Sequence, residues 1–264
     1  MNEAHLEQFV TILSSISYTS WNEIVKKDPE WKYLQKFRNI YGYGKFNVFL
    51  MMTGLNAYQL KGTAEENYWS ILGKHIEKYN VPRTLKDLQK LLTDFYEKER
   101  LPKGKLKRLE TFLSSKLAKK LWVITPEEIG QQFQFIWLTL AETMNQKQNA
   151  KTICFAMKCL GISLYIQEYN HFDFSTIPIP VDSRIEKFTH KITNDSSDNI
   201  AEIQHFWNMI LMNIQKNKPL ISMIHLDSLI WQSGLLDADE LKHYFTECDS
   251  QMVGINLVDF FNCI

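Results

Sequence analysis

The segment Ile177-Pro178-Ile179-Pro180-Val181-Asp182 allows its backbone few conformations. Each proline fixes φ and removes an N–H donor, which leaves a stiff extended connector. The connector delivers Asp182 to the start of a helix expected near 183–193. Ser183 with Glu186 offers a capping box one residue later, so the cap is either Asp182 or Ser183. With the first assignment, a rigid lead-in and a capping bond hold a carboxylate in one place.

A second helix start lies upstream. Asn149 is a good N-cap residue, and Thr152 to Leu160 is apolar nearly all round, which predicts a buried helix. Lys151 falls in its first turn, where exposed backbone N–H groups already carry positive character. That field, reinforced by burial if it occurs, favours the neutral amine, which is a nucleophile. Amine and fixed carboxylate together suit chemistry at a sugar carbon. The plainer alternative is a solvated lysine and an Asp that only caps; spacing alone does not establish an enzyme.

The rest of the chain reads as helices. Asp28-Pro29 places an N-cap before a proline at N1, opening a helix to about Tyr41. The turn at 41–44 precedes an apolar helix from Lys45 to about Tyr58. Thr63 with Glu66 and Thr125 with Glu128 have capping-box spacing. Pro102 and Gly104 mark a turn before a basic helix ending near Leu121. Helices also fit 199–216, 222–234 and two short C-terminal stretches, with a loop over Asn194 to Asp198. No alternating strand pattern appears, and 10 Gly and 7 Pro in 264 residues suit an all-α fold.

Charge and cysteine content narrow the function classes. The formal net charge is +0, so the total does not announce a nucleic-acid binder. The distribution is uneven: residues 98 to 120 hold nine Lys or Arg against Glu99 and Glu110, a candidate phosphate-facing surface or an ordinary solvated helix. Cys154, Cys159, Cys248 and Cys263 form no C-x-x-C pair, and the first two suit a core. The histidines lack metal-ligand spacing, and Asp237-Ala238-Asp239-Glu240 lacks the rest of a calcium loop, so no metal is expected. The start lacks a signal-peptide pattern and no apolar run reaches membrane length. The expectation is a cytoplasmic, intracellular protein that is not in a membrane.

Lys151-Thr152-Ile153-Cys154-Phe155 and Ile177 through Arg184 resemble the archaeal 8-oxoguanine DNA glycosylase/AP lyase family (AGOG), a branch of the helix-hairpin-helix DNA glycosylases. Asp28-Pro29-Glu30 and His225 through Trp231 match in family order, and Glu65 through Trp69 matches more loosely. The resemblance implies a two-lobed helical glycosylase fold with the active site between lobes. The expected lobes are 120–195, holding the hairpin and catalytic segment, and 1–119 with 196–264. The usual glycine-rich hairpin sequence is missing, a departure that the AGOG branch shares. No iron–sulfur cysteine spacing is present, and no cofactor is implied.

What the resemblance implies chemically is base flipping, attack of Lys151 on C1′, loss of the base, a Schiff base, and β-elimination. Asp182 is the implied assisting carboxylate. Glu30, Trp69, Phe155, Pro180, Asp227 and Trp231 are the implied base-binding residues, with a core aromatic as the plain reading of either Trp. Lys158 is the rival nucleophile, or a contact to phosphate or a neighbouring acid. The family usually has Gln where Glu30 stands, and Ala57 replaces a small hydroxyl residue, which leaves the base preference open. The implied partner is double- or single-stranded DNA containing 8-oxoguanine, bound by a monomer. The alternatives are a glycosylase or abasic-site lyase with another base preference, and a non-catalytic helical DNA-binding protein.

Overall fold

A computed structural model describes residues 3–193 and 199–263; the expected loop Asn194 to Asp198 lies outside the described residues. Among the described residues every regular element is helical. Most are α-helices, with a 3-10 turn at Gln35–Phe37 and a π-helical turn at Ala64–Trp69. The all-α reading of the sequence holds.

The chain forms two compact units, Met1–Asp28 with Ile177–Ile264, and Pro29–Thr176. These boundaries differ from the expected 120–195 against 1–119 with 196–264. Packing explains the difference. The lysine helix, Lys151–Ile166, lies against Tyr43–Leu55, so residues on both sides of position 119 share one core. Gly54 permits the close approach: a Cβ there would fall 2.7 Å from Cys159 Sγ and 3.1 Å from Ala156 Cα. Buried amide groups cross the same seam. Ser163 Oγ donates to Asn47 Oδ1 at 2.6 Å, and Gln167 Nε2 to the same oxygen at 2.7 Å. Such bonds meet part of the polar demand of the buried amides and fix the register of the two helices.

Caps decide most helix starts as read, with instructive departures. Thr125 and Glu128 form the expected box, and Thr84 with Asp87 forms another. Thr63 accepts from Glu66 N, but Asn67 Oδ1, instead of Glu66, accepts from Thr63 N. Gly104 is not a turn: the basic helix runs Pro102–Ser114 with proline in its first turn, and Gly104 lies inside it. The helix breaks at Ser115, which caps a second helix, Lys116–Leu121. A break at Gln132 likewise separates Pro126–Gln131 from Phe133–Thr143.

In the other unit, the proline connector runs buried from Ile177 to Val181 into the helix Ser183–Thr193. Gln204 Nε2 donates to the Ile179 carbonyl at 3.2 Å, satisfying a backbone acceptor that no regular element serves. Trp207 anchors this core. Its Nε1 donates to Thr189 Oγ1 at 2.9 Å, and its ring stacks with Phe188 at 6.0 Å.

Candidate active site

The carboxylate start is built from both of its oxygens. Asp182 is the N-cap: its Oδ1 accepts from Arg184 N at 2.9 Å and Ile185 N at 3.1 Å, and its carbonyl accepts from Glu186 N at 2.8 Å. Ser183 is therefore the first helical residue, which settles the choice of cap left open by the sequence. Oδ2 accepts from Trp231 Nε1 at 3.3 Å. Trp231 is held in turn, because the Arg184 guanidinium stacks on its ring at 4.2 Å and donates to its carbonyl at 3.3 Å. The backbone fixes one oxygen and an immobilised indole orients the other.

Trp231 sits on the helix Met223–Ser233, one turn after Asp227. Asp227 is buried at 2% exposure. Asp28 steadies the same helix by accepting from Ser228 Oγ and, at 2.7 Å, from Gln232 Nε2. Pro180 is buried in the connector.

The lysine start is built differently. Lys151 is the first residue of its helix, but Asn149 is not the N-cap as the sequence suggested. Ala150 takes that place, because its carbonyl accepts from Ile153 N at 2.9 Å and Cys154 N at 3.0 Å. An alanine side chain makes no capping bond. Lys151 is exposed, so the burial that would have reinforced the helix-start field does not occur.

Phe155 and Lys158 follow at i+4 and i+7, on the same helix face as Lys151. Phe155 is half-buried with its ring 6.4 Å from that of Trp69, and the Lys158 ammonium lies 5.9 Å from the Phe155 centroid. Lys158 Nζ stands 3.8 Å from Glu30 Oε1, with both side chains 3% exposed. Glu30 lies in the first turn of the short helix Pro29–Leu34, and Trp69 ends the π-helical turn at 1% exposure. The structure thus gathers Glu30, Trp69, Phe155 and Lys158 within one unit. Asp182, Trp231, Asp227 and Pro180 belong to the other.

The basic run is less uniform than its sequence suggests. Lys98, Arg100, Lys103, Lys107, Lys116, Lys119 and Lys120 are exposed. Lys105 is fully buried, 3.3 Å from Glu99 and over the rings of Tyr58 and Tyr68; burial lowers its pKa. Arg108 is partly buried and also leaves the solvated face. Periodicity from Leu106, Leu109 and Leu113 was the available signal for the helix's inner side. Among the described residues no group of three or more His, Cys, Asp or Glu is arranged to hold a metal ion. No described helix is long and apolar enough to cross a membrane.

A sequence model of the AGOG family, described as N-glycosylase/DNA lyase, matches residues 10–257. An N-glycosylase/DNA lyase of Methanopyrus kandleri is 26% identical over 202 residues, covering 76% of this chain and 77% of the relative. One from Methanococcus maripaludis is 26% identical over 212 residues, covering 78% of each. In fold, the chain is similar to Pa-AGOG, an 8-oxoguanine DNA glycosylase from Pyrobaculum aerophilum solved in complex with 8-oxoguanosine. That match has a TM-score of 0.73 at 19% identity and covers 98% of this chain and 96% of the other.

Proposed function

The chain belongs to the AGOG family of N-glycosylase/DNA lyases, and on that premise we propose that it excises 8-oxoguanine, with Lys151 as nucleophile and Asp182 as assisting carboxylate. The glycosylase and lyase activities are those of the family. The damaged base and the residue roles are our reading.

In this mechanism the nucleotide is everted, and the Lys151 amine donates its lone pair to C1′. The C1′–N9 bond breaks, and its electron pair leaves with the base, which takes up a proton. The attacking nitrogen gives up one proton to the departing base; the C1′–O4′ bond then breaks, O4′ takes up a proton, and the nitrogen lone pair forms the protonated imine. Loss of a C2′ proton then expels the 3′ phosphate by β-elimination. Asp182 stabilises positive charge on the sugar and assists proton movement, tasks for which a carboxylate must be held still.

One observation carries the base assignment: the Glu30–Lys158 pair beside Phe155 and Trp69. Its 3.8 Å separation exceeds the length of a charge-assisted hydrogen bond, about 2.7–2.9 Å. The pair places a carboxylate acceptor next to an ammonium donor, beside the Phe155 ring. 8-Oxoguanine presents N7–H next to C8=O, the complementary pattern. Guanine presents a bare N7, whose lone pair a carboxylate repels.

The test is release of free base from duplexes carrying 8-oxoguanine, guanine or uracil, with borohydride trapping run in parallel. Wild type should release 8-oxoguanine and form a DNA adduct. Glu30→Gln should narrow the preference for 8-oxoguanine over guanine by about tenfold, the scale of one charge-assisted contact. A wild-type preference for another base, or unchanged discrimination in the variant, defeats the base assignment while leaving the lyase reading standing.

A further inference from the structure

Arg108 lies in the middle of the basic run, yet its guanidinium makes contacts within the protein. Nη2 donates to Thr152 Oγ1 at 3.0 Å and reaches Gln146 Oε1 at 3.4 Å. Thr152 Oγ1 donates to the same Gln146 oxygen at 3.0 Å, closing a three-membered network. The guanidinium carbon sits 5.2 Å from the centroid of the Tyr58 ring. Burial lowers the pKa of Arg108, but an arginine keeps its proton in any case.

The network joins three pieces of chain. Arg108 comes from the basic helix Pro102–Ser114. Gln146 lies in the turn that follows the helix Phe133–Thr143, where Asn145 adopts a left-handed φ of 49°. Thr152 is the residue next to Lys151 in the first turn of the lysine helix. Ala150 gives that start no side-chain cap, so bonds from other residues must limit its fraying. Trp137 Nε1 holds the far side of the turn through the Gln148 carbonyl at 3.0 Å, and Gln146 N holds its near side through Ala141 O at 2.9 Å. Arg108 is the charged member of this set, and the two N–H groups of its Nη2 serve both acceptors.

We propose that Arg108 is a positioning residue for the lyase chemistry: it ties the turn and the first helical turn together so that the Lys151 amine keeps its line of attack. It is not a phosphate contact, although its sequence neighbours suggest one. This rests on the reading of Lys151 as nucleophile. A misplacement of about 1 Å at a reacting group costs on the order of a hundredfold in rate, so a brace one residue away has leverage on the chemical step.

The experiment compares wild type, Arg108→Met, Gln146→Ala and Thr152→Val on an 8-oxoguanine duplex. Single-turnover rates of borohydride-trapped adduct are measured alongside duplex affinity over a series of salt concentrations. Arg108→Met should slow adduct formation by about ten- to a hundredfold, with the salt dependence of binding unchanged. Gln146→Ala should act in the same direction, and its effect should shrink in the Arg108→Met background, since partners in one network are not additive. Loss of about one unit of salt slope in Arg108→Met marks a phosphate contact and overturns the proposal. Additive effects, or a wild-type rate in Arg108→Met, overturn it too. If Arg108→Met does not fold, wild-type rates in both Gln146→Ala and Thr152→Val are the overturning result. No adduct with wild type defeats the lysine reading itself.

Discussion

The two helix starts that carry the proposed chemistry are opposites. At Asp182 the acid is the cap, with one oxygen on backbone N–H groups and the other on the Trp231 indole. At Lys151 the cap position is an alanine, the amine is exposed, and order is imposed from the neighbouring turn. The same physical object, the positive end of a helix, serves two purposes. It immobilises an anion at the proposed acid, and at the proposed nucleophile its cap residue, Ala150, contributes no side-chain bond. A carboxylate that preorganises an electrostatic field gains from rigidity. A nucleophile needs its backbone held in line while its flexible side chain forms and then releases a covalent bond.

The sharpest way to break this comparison is Asp182→Asn. Asparagine keeps the cap through its one oxygen but turns a donor toward Trp231 Nε1, so stability should fall only by about 0.5–1.5 kcal/mol, the scale of one hydrogen bond. The charge is lost, so single-turnover base release should fall by about 10²- to 10⁴-fold, the range for a positioned acid–base group. Thermal unfolding and rapid-quench assays read the two quantities separately. A large loss of stability with little loss of rate would return Asp182 to the role of a plain cap.

The smaller test addresses the other start. Ala150→Ser supplies a missing N-cap and should stabilise the protein by about 0.5–1 kcal/mol in urea titration. No gain would mean that the orphan N–H groups of the lysine helix are already satisfied, and the contrast between the two starts would weaken.

Much of this was legible in the sequence. The proline connector and Asp182 could be read directly, because proline stiffness and capping are local properties. Helix existence followed from periodicity and caps for the same reason. The Asn149 cap was misread by one residue, since the choice between adjacent residues depends on where the turn from Met144 delivers the chain. The break at Ser115 was missed because no proline or glycine marks it, and the break at Gln132 was missed although Gly130 stands two residues before it. The unit boundaries were hidden for a further reason. The packing of Gly54 against Cys159 is non-local, and nothing in either stretch names its partner.

Among the candidate residues, the pairing of Lys158 with Glu30 needed the fold, because 128 positions separate them. The same holds for Arg108. In sequence it is one more cation in a basic run, and only its contacts with Tyr58, Gln146 and Thr152 set it apart.

The central claim is tested most directly by locating the covalent bond. Wild-type protein is reduced with borohydride during turnover of an 8-oxoguanine duplex, digested, and mapped by mass spectrometry. The account predicts the sugar remnant on Lys151, and its loss in Lys151→Gln. A remnant on Lys158 or any other lysine, or trapping at the wild-type level in Lys151→Gln, would contradict it.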